Sequence, residues 1–483
     1  MNAHLRPVLR GFRSALPLAL AVALAACATA APPRGQASAL PAAAATATGV
    51  PGVDSAQLDP GWWLARTANA DALLMTPAQI DAQNARLFAE DPSMNDLAAF
   101  PAAVAAAQLR GWIEKISSRP TRTFYDMRGR ELTPAAMDRY IDALALDRIP
   151  ATTTPRHGLV VRRSPQRAFP TLDRWFSTRE GTDIDRWQES AEFPGTPVVV
   201  LHTSRDGAWH FVASPRYKAW MPAADIAIGD KAAVLAYAGR APHRVITGAK
   251  PRTVYNPENA QVSELQLDMG MRYPLAAIDG GSRLHGQVAA YHWPLQLPVR
   301  NADGSLAFAD ALLPRSAESA ADHLPLTRRN LITQAFKFLG ERYGWGHDYN
   351  GRDCSGFVAE VYRSMGLTLP RNTSDQARTP AMDKTLFDAA STAQQRRDAI
   401  ADLDVGDLVY IPGHVMMFLG RIDGKPYVIH DTSGGTMLMP DGSRRTLGLN
   451  GVVVTPLEPL QFGSDASYID RMTSIVRVHP RAH

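Results

Sequence analysis

The chain has 483 residues, 45% of them apolar and 20% charged, the balance of a soluble globular protein with a sizeable core. At about 100–200 residues per domain there is room for about three or four domains. The formal charge is only +4, from 51 basic and 47 acidic residues, and no long Lys/Arg run occurs. A nucleic-acid partner is therefore not expected.

At the N-terminus, Arg6, Arg10 and Arg13 precede an apolar run from Ala15 to Ala26. That run is too short for an ordinary transmembrane helix and reads as a signal peptide over residues 1–26. It ends in Leu24-Ala25-Ala26-Cys27, which resembles the lipobox of bacterial lipoproteins. The resemblance implies diacylation at Cys27 and anchoring by several acyl chains, the membrane being a partner through that lipid. An ordinary secretory signal that happens to contain a cysteine is the alternative. Ala28 is not the acidic residue that marks inner-membrane retention, so the expected location is the periplasmic face of the outer membrane. Residues 27–60, rich in Ala, Pro, Thr and Gly, read as a flexible tether.

Residues 61–154 carry helical signals. Thr76-Pro77-Ala78-Gln79 is a capping box with proline at the first helical position, and Thr133-Pro134 opens a later helix. Leu109, Trp112, Ile113 and Ile116 form an apolar stripe between them. The Trp62-Trp63 pair is read as core packing rather than a binding surface.

From residue 155 the pattern changes to short strands. Val198–His202 and Trp209–Val212 flank Ser204-Arg205-Asp206-Gly207, a hairpin signature. Ala219-Trp220-Met221-Pro222 resembles the segment that closes bacterial SH3-like barrels. A second β block follows, so two consecutive small barrels are expected, over 155–230 and 231–315. His285 and His292 lack a second ligand pair, and no metal site is expected.

Beyond a polar linker, Thr327 caps an amphipathic helix with Leu331, Ile332, Ala335, Phe336 and Leu339 on one face. A Gly-rich loop then leads to Cys354, where Phe357, Val358, Val361, Tyr362 and Met365 recur at helical spacing up to Gly366. A thiol in the first turn of a helix feels the unpaired N–H groups and the positive end of the dipole, which favour thiolate. Packing of a buried free cysteine is the other reading. With Cys27 lipidated, Cys354 has no disulfide partner in the mature chain. Strands are expected at Leu408–Ile411, His414–Leu419, Tyr427–His430 and Val452–Val454, giving an α+β domain over 322–462, with an uninformative tail over 463–483.

A cysteine peptidase needs a base for the thiol and a third polar group that fixes the base. His414 heads one strand and His430 ends the next. A tight turn at Asp423-Gly424 alone would offset them by about three residues, so a longer loop or a bulge is required.

Tyr343-Gly344-Trp345-Gly346, Asp353-Cys354-Ser355-Gly356-Phe357, Val405-Gly406-Asp407-Leu408, Gly413-His414-Val415 and Val428-Ile429-His430 resemble, in order and spacing, the signature blocks of NlpC/P60 cysteine peptidases. With the upstream regions, the chain resembles the multidomain γ-D-glutamyl-L-diamino-acid endopeptidases of that family. The resemblance implies a papain-like fold without cofactor, with Cys354 as nucleophile, His414 as base and His430 as orienting residue. Tyr343, Asp353 and Ser355 match positions lining the substrate site. The implied substrate is a peptidoglycan stem peptide, cut between D-γ-glutamate and a diamino acid, with a free N-terminal L-alanine. An acid must receive that ammonium. Asp353 is the first candidate; Tyr217 and Glu189 are further candidates from the SH3-like region, where a packing role is the alternative. Two features depart from the family pattern: His347 stands where a glycine is common, and residues 375–404 form an enlarged loop. An amidase or acyltransferase using the same triad, and a non-catalytic wall-binding lipoprotein, are the alternative readings.

Overall fold

The computed structural model describes residues 47–479, so the lipobox cysteine Cys27 lies outside the described residues. No helix among the described residues is long and apolar enough to cross a membrane.

The N-terminal helices start where their caps stand. Thr76 caps the helix Pro77–Glu90, its side chain accepting from Gln79 N–H while Gln79 returns to the Thr76 amide. Thr133 caps Pro134–Ala143, its side chain accepting from Ala136 N–H. These helices serve two different cores. Val53, Trp63, Met75 and Ile80 join the core around Cys354. Leu97, Leu109, Ile113, Met137 and Leu144 instead pack with Trp175, Trp187, Trp209 and Trp220 of the β region that follows.

That β region is a seven-stranded antiparallel sheet. From edge to edge its strands are Ile226–Gly229, Arg156–Val160, Pro197–Thr203, Trp209–Ala213, Lys218–Pro222, Ser164–Arg167 and Gln188–Glu192. The expected hairpin forms, with Val200 opposite Val212 and Thr203 opposite His210. The expected barrel does not: no sheet among the described residues closes on itself. The reason lies at the two edges, which neighbouring segments occupy instead of each other. The Gln188 side-chain amide donates to the Gly346 carbonyl at 2.8 Å, docking the loop before Cys354 against the strand at one edge. On the other, Ile228 N–H donates to Gly304 O at 2.9 Å. Residues 231–315 form no barrel either. His292–Arg300 pairs with Leu306–Pro314 as a hairpin, and His243–Ile246 lies between Arg272–Pro274 and Ser319–Ala320.

The last part is an α+β layer structure. A six-stranded antiparallel sheet runs Asp383–Leu386, Ser474–Arg477, Leu408–Ile411, His414–Ile422, Lys425–Thr432, Gly451–Pro456. The enlarged loop supplies the first of these strands and the helix Ala393–Ala401; the segment beyond Phe462 supplies the second. Helices Arg328–Phe336 and Cys354–Arg363 cover one face, packing Leu331, Phe357, Val358 and Val361 on Leu408, Val415, Met417 and Ile429. Each such side chain, fully buried, contributes about 1.5–3 kcal/mol. Val409, Met416, Phe418 and Val428 point into a second core on the other face.

Candidate active site

Cys354 is the first residue of its helix, and its neighbour Asp353 is the N-cap, accepting from Gly356 N–H at 2.8 Å. The thiol is buried and donates toward Gly413 O at 4.0 Å, against the head of the strand that begins with His414. Burial, then the charge of Asp353, pushes the thiol up to about 12, although the Val415 N–H pulls the other way. The thiolate expected from the helix position is therefore not the resting form: desolvation outweighs the helix end.

His414 and His430 are brought together by a bulge. Asp423 and Gly424, both with positive φ, make the tight turn that pairs Ile422 with Lys425. Leu419 is then the extra residue between the pairs Phe418–Val428 and Gly420–Tyr427. Without it, His430 would stand opposite Met417, on the other face from His414. With it, His430 stands opposite Met416, and both histidines share a face. His414 Nε2 lies 2.8 Å from His430 Nδ1, and His430 Nε2 lies 3.0 Å from Thr455 Oγ1. When His430 donates Nε2–H to Thr455, its Nδ1 accepts from His414 and leaves His414 Nδ1 as an acceptor. Burial lowers His414 to about 4; burial and the neighbouring His414 hold His430 well below the usual histidine range. Both rings are neutral at pH 7.

Asp353 does more than cap. Arg371 grips it with two bonds, at 2.7 Å and 3.2 Å, and Gly346 N–H donates at 3.0 Å. Ser355 donates to Asp353 at 3.0 Å and accepts from Arg371 at 2.8 Å. Burial raises the Asp353 carboxyl, but Arg371, His347 and the Gly356 N–H outweigh it and bring it to about 2. Tyr343 is buried nearby, its hydroxyl pushed well up by burial and by the charges of Cys354 and Asp353. Glu189 and Tyr217 meet on the SH3-like side, the Tyr217 hydroxyl donating to Glu189 at 2.6 Å. Arg371 also donates to the Glu189 carbonyl at 3.4 Å, so this pair borders the Asp353–Ser355 cluster.

His347 explains its own departure from glycine. Its φ is +65°, in the left-handed region that favours glycine. The strain is offset by buried bonds: Nε2 pairs with Glu360 at 3.0 Å and Nδ1 accepts from Arg371 at 3.3 Å. A Cβ on Gly356 would come within 2.5 Å of this ring, so His347 and Gly356 are matched. Glu360 in turn accepts from Arg352 at 2.7 Å, and Arg352 donates to Glu341 at 2.6 Å, which also pairs with Lys250 at 2.7 Å.

The sequence reading missed Thr455, Arg371 and Asp431. Thr455 and Arg371 act through partners distant in sequence, which local spacing does not show. Asp431 is fully buried, and neither carboxylate oxygen has a hydrogen-bond partner among the described residues. His285 contacts Asn256, Glu258 and the Asp310 carbonyl, and His292 the Val288 carbonyl. Among the described residues, no group of three or more His, Cys, Asp or Glu side chains could hold a metal ion.

Residues 340–443 match the NlpC/P60 family model, and residues 170–222 match that of the SH3 domain (SH3b1 type). The chain thus carries an NlpC/P60 family cysteine-peptidase domain with an adjacent SH3-like domain, related to bacterial endopeptidases. It is 28% identical over 235 residues to a gamma-D-glutamyl-L-lysine dipeptidyl-peptidase of Bacillus cereus, covering 44% of this chain and 63% of that relative's length. It is 26% identical over 181 residues to a protein of Corynebacterium glutamicum named "Probable endopeptidase", covering 37% of this chain and 77% of the other. An NlpC/P60 endopeptidase structure from Photobacterium damselae subsp. piscicida shares the fold. Its TM-score is 0.69 at 17% identity, covering 86% of this chain and 96% of that one.

Proposed function

We propose that the protein is a cell-wall cysteine endopeptidase that hydrolyses the D-γ-glutamyl–diamino acid bond of murein stem peptides. The observation that carries this reading is the His414–His430–Thr455 chain beside a buried thiol at a helix N-terminus. In it Cys354 is the nucleophile, His414 the base and His430 the orienting residue. Because the resting thiol is protonated, the proton leaves sulfur for His414 as sulfur attacks the γ-carbonyl carbon. The C–N bond then breaks, and His414 returns the proton to the leaving amine. Water, deprotonated by His414, cleaves the resulting thioester and regenerates the thiol.

The dipeptidyl-peptidase name of the Bacillus relative supports the choice of bond. Asp353 is committed to Arg371 and the helix cap, so we assign the ammonium of a free N-terminal L-alanine to Glu189 and Tyr217. Burial raises the Glu189 carboxyl, more than Tyr217 and Arg371 lower it, and an arriving cation would favour its ionised form. Tyr343 and Ser355 wall the same cleft in this reading. The lipobox at Cys27 supports a lipid-anchored protein on the periplasmic face of the outer membrane.

Incubation with L-Ala-γ-D-Glu-diaminopimelate, its N-acetylated form and intact sacculi tests the reading. Release of diaminopimelate from the free tripeptide, with the acetylated form cut at least about 100-fold more slowly, is expected. Cleavage of the acetylated form at an equal rate would refute the ammonium assignment, and no cleavage of any of the three would refute the function.

A further inference from the structure

Strand pleating puts His414 and His430 on the sheet face that bears Met416, Phe418 and Val428. A smaller antiparallel sheet covers that face, its strands ordered Arg444–Leu447, Gly435–Leu438, Leu460–Phe462, Ala466–Ser467. Met437, Leu447, Leu460 and Tyr468 pack from it into the core between the two. Tyr468, in the turn after the last strand, extends this cover to the histidines. Its buried ring meets the His414 ring edge to face, with centroids 6.2 Å and planes 64° apart, a favourable aromatic geometry. Among the described residues the His414 ring makes one hydrogen bond, from Nε2 to His430. A single bond fixes one atom and leaves the ring free to tilt about it; a second ring against its side removes that freedom. Tyr468 is itself held in place. Its N–H donates to Leu460 O at 2.9 Å. Ser467 and Asp470 close the turn reciprocally, the Ser467 hydroxyl donating to Asp470 at 2.7 Å and the Asp470 N–H to Ser467 at 3.1 Å.

We infer that Tyr468 is a positioning residue for the base: its ring closes the side of His414, so that the imidazole stays on His430 and keeps Nδ1 free to take the thiol proton. This rests on the endopeptidase reading above and adds to it a part for the segment beyond Phe462, which lies outside the residues 340–443 that match the peptidase family. The ring has two effects on the base. It fixes orientation, and an imidazole misplaced by about 1 Å costs on the order of 100-fold in rate. It also keeps water from His414, and burial is what lowers that histidine to about 4. The titratable groups around His414 are His430 on the next strand, Cys354 on the helix and Tyr468 in the turn. Each is uncharged at pH 7, His430 being lowered and the thiol and the Tyr468 hydroxyl raised, all mainly by burial. Asp353, Asp431 and Arg371 bear on the thiol rather than on the imidazole. The Tyr468 hydroxyl makes no hydrogen bond among the described residues, so the ring is the part that acts.

The test measures kcat, KM and the pH profile of kcat/KM on L-Ala-γ-D-Glu-diaminopimelate for the full chain and its Tyr468→Phe, Tyr468→Leu and Tyr468→Ala variants. Tyr468→Phe, which keeps the ring, should stay within a few-fold of the wild type. Tyr468→Ala should lose on the order of 100-fold in kcat with KM within a few-fold. Its acid limb, which reports the base of the free enzyme, should move up from about 4 toward the ordinary histidine value of about 6.5. Tyr468→Leu fills most of the same space and guards against a variant that merely fails to fold; with its melting temperature near the wild type's, it should still lose at least about 10-fold in kcat. A folded Tyr468→Leu or Tyr468→Ala variant with kcat near the wild type's and an unmoved acid limb would overturn the inference while leaving the endopeptidase reading intact. Tyr468→Phe as impaired as Tyr468→Ala would overturn it too, by placing the role on the hydroxyl. No cleavage by the wild type overturns both readings.

Discussion

Asp431 follows His430 on the same strand and points to the opposite face, toward the helix that carries Cys354. Its carboxyl has no donor or acceptor among the described residues, and burial, with Asp353 and Glu341 nearby, raises it well above the usual carboxylate range. A raised folded-state value means the native protein keeps a proton that the unfolded chain has released. The stability this group contributes is therefore complete only below the unfolded value of about 4 and is lost as pH rises toward the folded value. Asp431→Asn should then gain thermal stability over the wild type, with a gap that widens from pH 4 to pH 8. A gap that stays constant with pH, or a less stable variant at pH 8, would contradict this. The same competition between burial and local charge acts on the Cys354 thiol. The helix position of Cys354 is local and legible, whereas the burial that overrides it comes from Gly413, Val415 and the covering helices, far away in sequence.

At the scale of elements, the bulge at Leu419 decides the site. A requirement for a bulge or longer loop follows from the spacing of His414, Asp423-Gly424 and His430; its position does not, because Leu419 and Gly420 carry no local signal. Gly420 marks it in the structure, with φ +153° and its Cα face on the Trp63 ring, which an added Cβ would meet at 3.5 Å. Gly420→Val should cost about 1–3 kcal/mol in backbone strain and lower kcat/KM by shifting the histidine pair. Urea unfolding and peptide turnover would check it; a variant with unchanged midpoint and rate would show that the bulge does not need this glycine. The helix starts at Thr76, Thr133 and Thr327, by contrast, were legible, since each cap acts within a few residues of itself. The barrels were not, because closure depends on whether the edge strands meet each other, and here Gly346 and Gly304 reach those edges first.

The whole molecule is bound together around the peptidase domain. Val53, Trp63, Met75 and Ile80 complete its core, and Leu73 pairs with Thr327 across the start of its first helix. From the other side, Arg163 bonds Asp268 at 2.5 Å and Gly351 O at 2.6 Å, tying the SH3-like sheet to the loop before Cys354. Long-range packing of this kind leaves no trace in local periodicity, which is why residues 61–154 read as one helical unit while their side chains divide between two cores. A fragment of residues 322–479 should expose that apolar surface and unfold at lower temperature, or aggregate, where residues 47–479 unfold cooperatively. An equal melting temperature for the two would refute the shared core.

In the proposed reaction the sulfur of Cys354 attacks the γ-glutamyl carbonyl and the amide bond breaks. Mass-spectrometric assay of diaminopimelate release from L-Ala-γ-D-Glu-diaminopimelate, with wild type and Cys354→Ala side by side and folding checked by circular dichroism, measures it directly. Turnover by the wild type and a loss of at least about 10⁴-fold in a folded Cys354→Ala variant are expected. Turnover by that variant at a rate near the wild type's would contradict it.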